Sequence, residues 1–296
     1  MGTRSERRGR MRGTRSWGRP CCPSLSGLLS ELGTKGEHMR RHSFEHDGLV
    51  FSFLDAGGEG QPLLALHGHW MGGSDFSGLA ADLGPGWRLI ALDQRGFGET
   101  DHNAPHDIPA YLSDAIALLD HLSIDRPVPV LGHSFGGVVA CHLAAARPDR
   151  VSALIIEDIG VTLDDDSSAH VANWGGVFRL REDLEDRLGP RLSPYLQNSI
   201  RRVADGWTLN FEPAEFLLSE RAINGDHRGV WLQSRCPALV VSGSESRICD
   251  PAELQAMAQS RENTAFIQLR AGHSVHIDAP AEFARHLRAF LEDSCA

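Results

Sequence analysis

The sequence predicts an α/β protein with a doubly wound, mostly parallel sheet and a helical cap insertion. From residue 43 onward, short segments rich in Val, Ile and Leu alternate with longer segments of helical periodicity. The short segments are continuously apolar, which is typical of strands that helices cover on both faces. Residues 163–233 interrupt this alternation with helical segments and no clear strand, so they indicate an insertion into one α/β domain.

Each predicted strand is a short, mostly apolar segment. In chain order the strand segments are LVFSFLDA (49–56), PLLALHG (62–68), WRLIALD (87–93), VPVLGHS (128–134), SALIIEDI (152–159), ALVVSGS (238–244) and AFIQLRAGH (265–273). The main helical segments between and after them are IPAYLSDAIALLDHL (108–122), GGVVACHLAAARP (136–148), PAELQAMAQS (251–260) and PAEFARHLRAFLED (280–293). Residues 42–162 and 234–296 are therefore the two parts of the predicted core.

Residues 1–41 predict a disordered basic tail, because they contain ten Lys/Arg, three Asp/Glu and little periodic hydrophobicity. We expect the tail to be dispensable, with Met39 a candidate for the true initiator. Residues 42–296 hold nineteen Lys/Arg and thirty-six Asp/Glu, and this acidic balance argues against a nucleic-acid partner. No apolar run approaches the roughly 18 residues of a membrane span, and none resembles a secretory signal.

The cysteines show no paired or metal-ligand spacing beyond the adjacent Cys21 and Cys22. Free thiols in a reducing compartment are the simplest interpretation of this pattern, and we predict a cytoplasmic location. The sequence does not indicate an oligomeric state.

The segment GHSFGG (132–137) predicts a nucleophile. It has the form G-x-S-x-G and lies directly between a predicted strand and a predicted helix. A serine at such a sharp turn exposes its hydroxyl, and the small residues around it let the chain bend tightly. The helix N-terminus offers N–H groups to a developing oxyanion. We predict Ser134 as the nucleophile; an ordinary glycine-rich turn is the alternative.

Together with GHSFGG, three further motifs resemble those of the α/β-hydrolase superfamily, close to its small carboxylesterases. LHGHWMGGSDF (66–76) resembles the oxyanion loop, DQRGFGETD (93–101) a turn of the family, and AGHSVHIDAPAEF (271–283) the segment with the catalytic histidine. The motifs occur in the family's order and cover residues 43–160 and 234–296. The resemblance implies a cofactor-free enzyme. In the 93–101 turn we expect Asp93 and Asp101 to brace the chain rather than to react.

By this resemblance, the backbone N–H groups of Phe135 and His69 form the oxyanion hole. The side chain of His69 is then free to face the pocket. His67 and His69 could also suggest a metal site, but two histidines without a third ligand are a weak signal. We predict no metal.

His273 is the predicted general base, because it follows Gly272 at the end of a strand and precedes the C-terminal helix. A loop at that place can hold the ring over the nucleophile, and Ser134 precedes His273 as in the hydrolase order. We expect His276 to be a packing residue and His133 to point away from Ser134.

The third member of a triad must orient the histidine and stabilise its protonated form. The family usually places this acid at the position of Ser246, within GSESRICD (243–250), but a serine supplies no charge. Glu245 precedes this position, and Asp250 is predicted to cap the following helix.

The strand segment SALIIEDI offers another acid, because it contains Glu157 and Asp158 near its end. Their side chains point in opposite directions, so only one of them faces the site. A group of small esterases with a D-I-A-P-V-like sequence here and a serine in the later turn resembles this chain at both places. We predict Asp158 as the triad acid; a carboxylate that only caps the strand end is the alternative.

Residues 163–233 predict a helical cap over the carboxyl edge of the sheet, where open α/β folds bind ligands. Most of its aromatic residues are expected to pack onto the core and a minority to line a pocket. The residues predicted to contact substrate are Trp70, Trp174, Phe178 and Trp207.

Together these features predict a serine hydrolase that cleaves an ester or thioester of a largely apolar small molecule through an acyl-enzyme. The same fold also supports acyl transfer, C–C bond hydrolysis or cofactor-free haloperoxidase-type chemistry, and a receptor would bind a ligand in the pocket without turnover. Epoxide hydrolases and haloalkane dehalogenases are disfavoured because they use an aspartate where this chain has Ser134. The sequence does not identify the natural substrate.

Overall fold

The computed structural model describes residues 39–102, 105–164 and 167–294. Residues 1–38, most of the predicted tail, lie outside the described residues. The strands are β1 (Arg40–His46), β2 (Leu49–Asp55), β3 (Gln61–Leu66), β4 (Trp87–Leu92), β5 (Val128–His133), β6 (Val151–Glu157), β7 (Thr162–Leu163), β8 (Ile200–Val203), β9 (Gly206–Leu209), β10 (Gly225–Asp226), β11 (Ala238–Gly243) and β12 (Thr264–Leu269). The α-helices are α1 (Ser77–Leu83), α2 (Ile108–His121), α3 (Phe135–Ala146), α4 (Arg181–Leu188), α5 (Pro213–Ile223), α6 (Arg228–Gln233), α7 (Pro251–Gln259), α8 (Val275–Asp278) and α9 (Pro280–Ser294).

An eight-stranded sheet runs in the order β1-β2-β4-β3-β5-β6-β11-β12. The six strands β4, β3, β5, β6, β11 and β12 are parallel to one another. At the other edge, β2 pairs antiparallel with both β4 and β1. The mostly parallel α/β sheet and the seven strands predicted from the sequence are thus confirmed. None of the helices in the described ranges combines the length and the apolar character that a membrane crossing requires.

The central strands are continuously apolar because both faces of the sheet are buried. In β5, Val130 packs into a cluster with residues of α2, α3 and α7, whereas its neighbour Leu131 packs into a second cluster with α1 and α9. Successive side chains of a strand point to opposite faces. An apolar residue is therefore needed at every position.

The edge strand β1 was not expected from the sequence. Its segment RRHSFEH is mostly exposed, with Phe44 its one buried residue, so it has no apolar run to mark it. Antiparallel pairing with β2 over all seven residues makes it a strand. Strand β1 therefore begins at Arg40, inside the predicted tail (residues 1–41), and Met39 is buried against the sheet.

The insertion contains α4, α5 and α6 but is not purely helical. The expectation that it lacks strands is wrong, because β8 and β9 form an antiparallel hairpin and β7 pairs with β10. The hairpin turns at Ala204 and Asp205 and continues into Gly206, whose φ is 151°. The Asp205-Gly206 pair is a turn signal that could have been recognised in the sequence.

A chain that begins at Met39 is expected to keep the fold and the activity of the full chain. Met39 and β1 remain in this shortened chain, together with the ion pair between Arg41 and the buried Asp93. A chain that begins at residue 43 loses these contacts and should unfold at a lower temperature. Thermal unfolding monitored by circular dichroism compares the three chains. A large loss in the chain that begins at Met39 would contradict the prediction.

Candidate active site

Ser134 lies at the sharp turn between β5 and α3. Its backbone has φ 51° and ψ −122°, a region that residues other than glycine rarely adopt. The turn is held by the Ser134 N–H, which donates to the Glu157 carbonyl at 3.0 Å. A strained serine at a strand-to-helix turn presents its side chain above the sheet edge, as the sequence pattern predicts.

Glycine at position 136 allows the start of α3 to pack directly against the end of β3. A Cβ atom there would lie 2.2 Å from the Leu66 carbonyl oxygen and 2.7 Å from that of His67. Any larger residue would push the helix away from the sheet and tilt the Ser134 turn. The second glycine of the motif is therefore required by packing.

His273 and Asp158 are in direct contact. The His273 Nδ1–H donates to Asp158 Oδ2 at 2.8 Å, and the two residues are 115 positions apart in the chain. The Asp158 carboxylate is completely buried, whereas about a quarter (27%) of the His273 side chain is exposed. In a catalytic triad, a buried carboxylate accepts a hydrogen bond from a partly exposed imidazole and thereby orients it as a general base.

Two further donors hold the Asp158 carboxylate. The Gly243 N–H donates to Oδ1 at 2.9 Å, and the Ser246 hydroxyl donates to Oδ2, the oxygen that also accepts from His273. Ser246, at the position where an acid was expected from the resemblance, is thus a partner of the acid from the preceding strand. The sequence alone did not reveal this partnership.

The alternative acids have other partners. Asp250 accepts from the Ala252 N–H at 2.8 Å and caps α7, as expected from the sequence. Glu245 forms an exposed ion pair with Arg270 at 2.9 Å. Asp158 is therefore the acid that the structure places against His273.

The imidazole of His133 connects the Ser134 turn to the His273 loop. The His133 Nε2–H donates to the His273 carbonyl at 3.0 Å, and the two rings are 4.7 Å apart between centroids. Among the hydrogen bonds of the described residues, none joins the Ser134 hydroxyl to the His273 ring. The structure thus brings Asp158 and His273, the predicted acid and base, into contact, and Ser134, the predicted nucleophile, is the residue next to His133.

His276 forms a buried ion pair behind this array. Its Nδ1–H donates to the Glu157 carboxylate at 2.8 Å, and its backbone N–H donates to the same oxygen at 2.9 Å. Burial opposes protonation of His276, but the Glu157 carboxylate outweighs it and raises the pKa. His276 is therefore more than the packing residue expected from the sequence, because its ion pair connects α8 to the end of β6.

His133, Glu157 and His276 are also the one group in the described chain whose ligand atoms could converge on a metal, all within 4.8 Å of one another. We interpret the group as an ion pair, since the carboxylate already accepts from His276. His67 is similarly occupied: its Nε2 accepts from the Gln94 N–H at 3.0 Å, and its Nδ1–H donates to the Gly68 carbonyl at 2.8 Å.

The two residues with the predicted oxyanion-hole N–H groups pack face to face. The rings of His69 and Phe135 are 4.3 Å apart and nearly parallel, at 5°. The loop before His69 passes close to Ser134, because a Cβ on Gly68 would lie 3.1 Å from Ser134 Cβ. The Phe135 N–H begins α3 and has no partner within the helix. Both residues thus adjoin Ser134.

Of the four residues predicted to contact substrate, two, Trp70 and Trp174, lie in or near the 66–76 loop beside Ser134. Trp70 packs against Trp174, with ring centroids 5.2 Å apart. Phe178 and Trp207 instead pair with each other through two backbone hydrogen bonds of 2.8 and 2.7 Å, and arginine side chains cover their rings. Among the described ring contacts, none joins these two residues to His69, Trp70 or Phe135. They belong to the insertion's own packing, and we leave them out of the proposed site.

Asp93 and Asp101 brace the 93–101 turn. Asp93 accepts from the Gly73 N–H at 2.7 Å and from the Glu99 N–H at 3.1 Å, and Asp101 accepts from the Val50 N–H at 2.8 Å. Every one of these donors is a backbone group. The turn thereby ties β2 and the 66–76 loop to the end of β4.

Known proteins resemble this chain in sequence and fold. The lipase LipV of Mycobacterium tuberculosis is 47% identical over 34% of this chain and 38% of that protein. The sn-1-specific diacylglycerol lipase ABHD11 of Danio rerio is 25% identical over 93% of this chain and 95% of that one. The crystal structure of E-2-(acetamidomethylene)succinate hydrolase superposes with a TM-score of 0.78 at 21% identity, covering 86% of this chain and all of that one.

A family model described as "Alpha/beta hydrolase family" matches residues 63–286, which span the sheet from β3, the insertion and α9. The match includes the Ser134 turn, Asp158 and His273, and the superposition above independently gives the same fold. This chain belongs to the alpha/beta hydrolase family.

Proposed function

We propose that the protein is a serine hydrolase that cleaves a carboxylic ester or thioester through an acyl-enzyme. The hydrogen bond from His273 to the buried Asp158, next to the strained Ser134 turn, is the observation that carries this proposal. Relatives named as lipases and esterases support the reaction class. The proposed substrate is a largely apolar small molecule, and no cofactor is needed.

In the proposed first step, the Ser134 hydroxyl attacks the acyl carbon and His273 accepts its proton. The Phe135 and His69 N–H groups stabilise the negative charge that develops on the carbonyl oxygen. Asp158 stabilises the imidazolium form of His273, which then protonates the leaving alcohol or thiol. A water molecule, deprotonated by His273, releases the acid from Ser134 and regenerates the enzyme.

We propose a cytoplasmic setting as well, because the cysteines of the described chain, Cys141, Cys236 and Cys249, are free thiols. Burial raises the pKa of Cys141 and that of Cys249 to about 12 each. Neither thiol therefore competes with Ser134 as a nucleophile at neutral pH.

Incubation with p-nitrophenyl esters of graded acyl length tests the proposed function. We expect release of p-nitrophenolate above the spontaneous rate, with a pre-steady-state burst of up to one equivalent if deacylation is slower than acylation. A receptor would bind the ester without release. Folded protein that releases no p-nitrophenolate from any ester in the series would refute the proposal.

A further inference from the structure

The side chains of His69 and Trp70 contain polar atoms that the proposed mechanism does not use. The mechanism requires only the backbone N–H of His69, and Trp70 was selected for its apolar ring. Both residues follow Gly68, which touches Ser134, and both pack against Phe216 of α5. Their polar atoms therefore lie close to the place where the acyl group would bind.

The His69 ring is neutral and contacts the Ser219 hydroxyl. Its Nε2 is 2.7 Å from that hydroxyl, which is 3.0 Å from the Phe216 carbonyl oxygen. In the arrangement where the hydroxyl donates to Phe216, its oxygen accepts from His69, so that Nε2 carries the proton and Nδ1 carries a lone pair. Burial lowers the pKa of His69 to about 3, which keeps the ring uncharged at neutral pH.

The ring of His69 is not fully enclosed by the protein. Aromatic rings surround it, with Phe135 stacked at 4.3 Å and Phe216 edge-on at 4.8 Å, yet the residue remains partly accessible to solvent. The His69 Nδ1 atom forms no hydrogen bond within the described chain. It is also not fully buried, unlike the other side-chain atoms there that lack a partner. A ligand beside the ring can therefore reach a hydrogen-bond acceptor.

Trp70 contributes a donor. Its indole Nε1–H is buried and has no partner in the described chain. A buried N–H without a partner is costly. The backbone of Trp70 is also in the left-handed region, at φ 68°, and the Ser199 hydroxyl from the insertion donates to its carbonyl. The fold thus holds this ring in place despite local strain, which is typical of functional positions.

We propose that His69 Nδ1 and Trp70 Nε1 form a polar subsite that binds a hydroxyl group of the substrate. A hydroxyl both donates to a ring nitrogen and accepts from an indole N–H, so it suits each atom. A charged group suits neither, because the ring contacts of both residues are aromatic and supply no counter-ion. This inference rests on the proposed function and narrows its substrates to hydroxylated esters.

Matched methyl esters test the subsite in the full chain. Methyl 2-hydroxybutyrate is compared with methyl 2-methylbutyrate, and methyl 3-hydroxybutyrate with methyl 3-methylbutyrate, by titration of the released acid. Each pair differs by a hydroxyl in place of a methyl group of similar size. We expect kcat/KM to be about 3- to 10-fold higher for the hydroxyl ester of at least one pair, as one or two neutral hydrogen bonds imply.

The ratio of kcat/KM within a pair is then measured in variants. His69→Phe keeps a stacking ring but lacks Nδ1, and Trp70→Phe keeps an aromatic ring but lacks the indole N–H. Each should reduce the preference for the hydroxyl ester toward unity, whatever happens to the absolute rate. Trp87→Phe is the matched control, because Trp87 begins β4 at the far end of that strand from the site and should leave the ratio unchanged.

A wild-type protein that shows no preference in either pair would overturn the inference while leaving the hydrolase intact. The inference would also be overturned if His69→Phe and Trp70→Phe both kept the full preference for the hydroxyl ester. Complete absence of hydrolysis of these esters and of the p-nitrophenyl series would instead refute the proposed function, and the subsite with it.

Discussion

Ser134→Ala is expected to lower kcat for ester hydrolysis by a factor on the order of 10⁴ to 10⁶, as removal of a nucleophile does in other serine hydrolases. The proposed acyl-enzyme cannot form without this hydroxyl, whereas the fold needs only a small side chain at the turn. Steady-state kinetics with a p-nitrophenyl ester measures the loss. Circular dichroism confirms that the variant is folded.

Fluorophosphonate labelling provides an independent measure of the same prediction. Mass spectrometry should place the adduct on the peptide that contains GHSFGG in the wild type and find none in Ser134→Ala. Ser260→Ala is the matched control, because that hydroxyl only donates to the Met257 carbonyl at 2.6 Å at the end of α7. An adduct on another residue, or a fully active Ser134→Ala, would show that Ser134 is not the nucleophile.

The second large effect is expected at Asp158. Replacement by Asn keeps the shape of the side chain but removes its charge. The Asp158 carboxylate accepts from His273, Gly243 and Ser246, whereas an amide has only one oxygen that can accept. The histidine then loses the acceptor that selects its reactive tautomer. We expect kcat to fall by up to about 10⁴-fold, as in known triads, at nearly constant secondary structure.

A series of neighbouring variants tests this assignment. Asp250→Asn should leave kcat nearly unchanged and weaken at most a helix cap, because an asparagine oxygen can also accept from the Ala252 N–H. Glu245→Gln should be nearly silent, because its ion pair with Arg270 is exposed. Ser246→Ala removes one of three donors to the Asp158 carboxylate and should lower kcat by about 3- to 10-fold. A dead Asp250→Asn beside an active Asp158→Asn would place the acid after β11 instead.

Several parts of the site could be recognised from the sequence because the reasons for them are local. A serine between glycines at the junction of a strand and a helix is the pattern of a strained nucleophile turn, so Ser134 was identifiable from six residues. The parallel sheet could also be predicted from the sequence, because strands buried on both faces need apolar residues at every position. Asp158 and His273 were predicted from their places at the ends of predicted strands, together with the resemblance to the α/β-hydrolase superfamily.

Other features depend on residues that meet only in the folded chain. Ser246 donates to a carboxylate 88 positions away, and His69 contacts a serine of α5 at a separation of 150. Phe178 and Trp207 were predicted to contact substrate, and the sequence did not reveal that they are joined to each other by two backbone hydrogen bonds. The charged β1 segment becomes a strand only because β2 offers it an edge.

There is a physical reason why some features could be predicted from the sequence and others could not. Turn strain, helix caps and strand burial act between neighbours in the chain, so the order of amino acids determines them directly. The direction of a side chain at the end of a strand is also local, which restricted the acid to one of two carboxylates. Whether that carboxylate meets His273, and whether the rings of His69 and Trp70 face a ligand, depends on how the sheet and the insertion pack. Those contacts were decided by the tertiary structure alone.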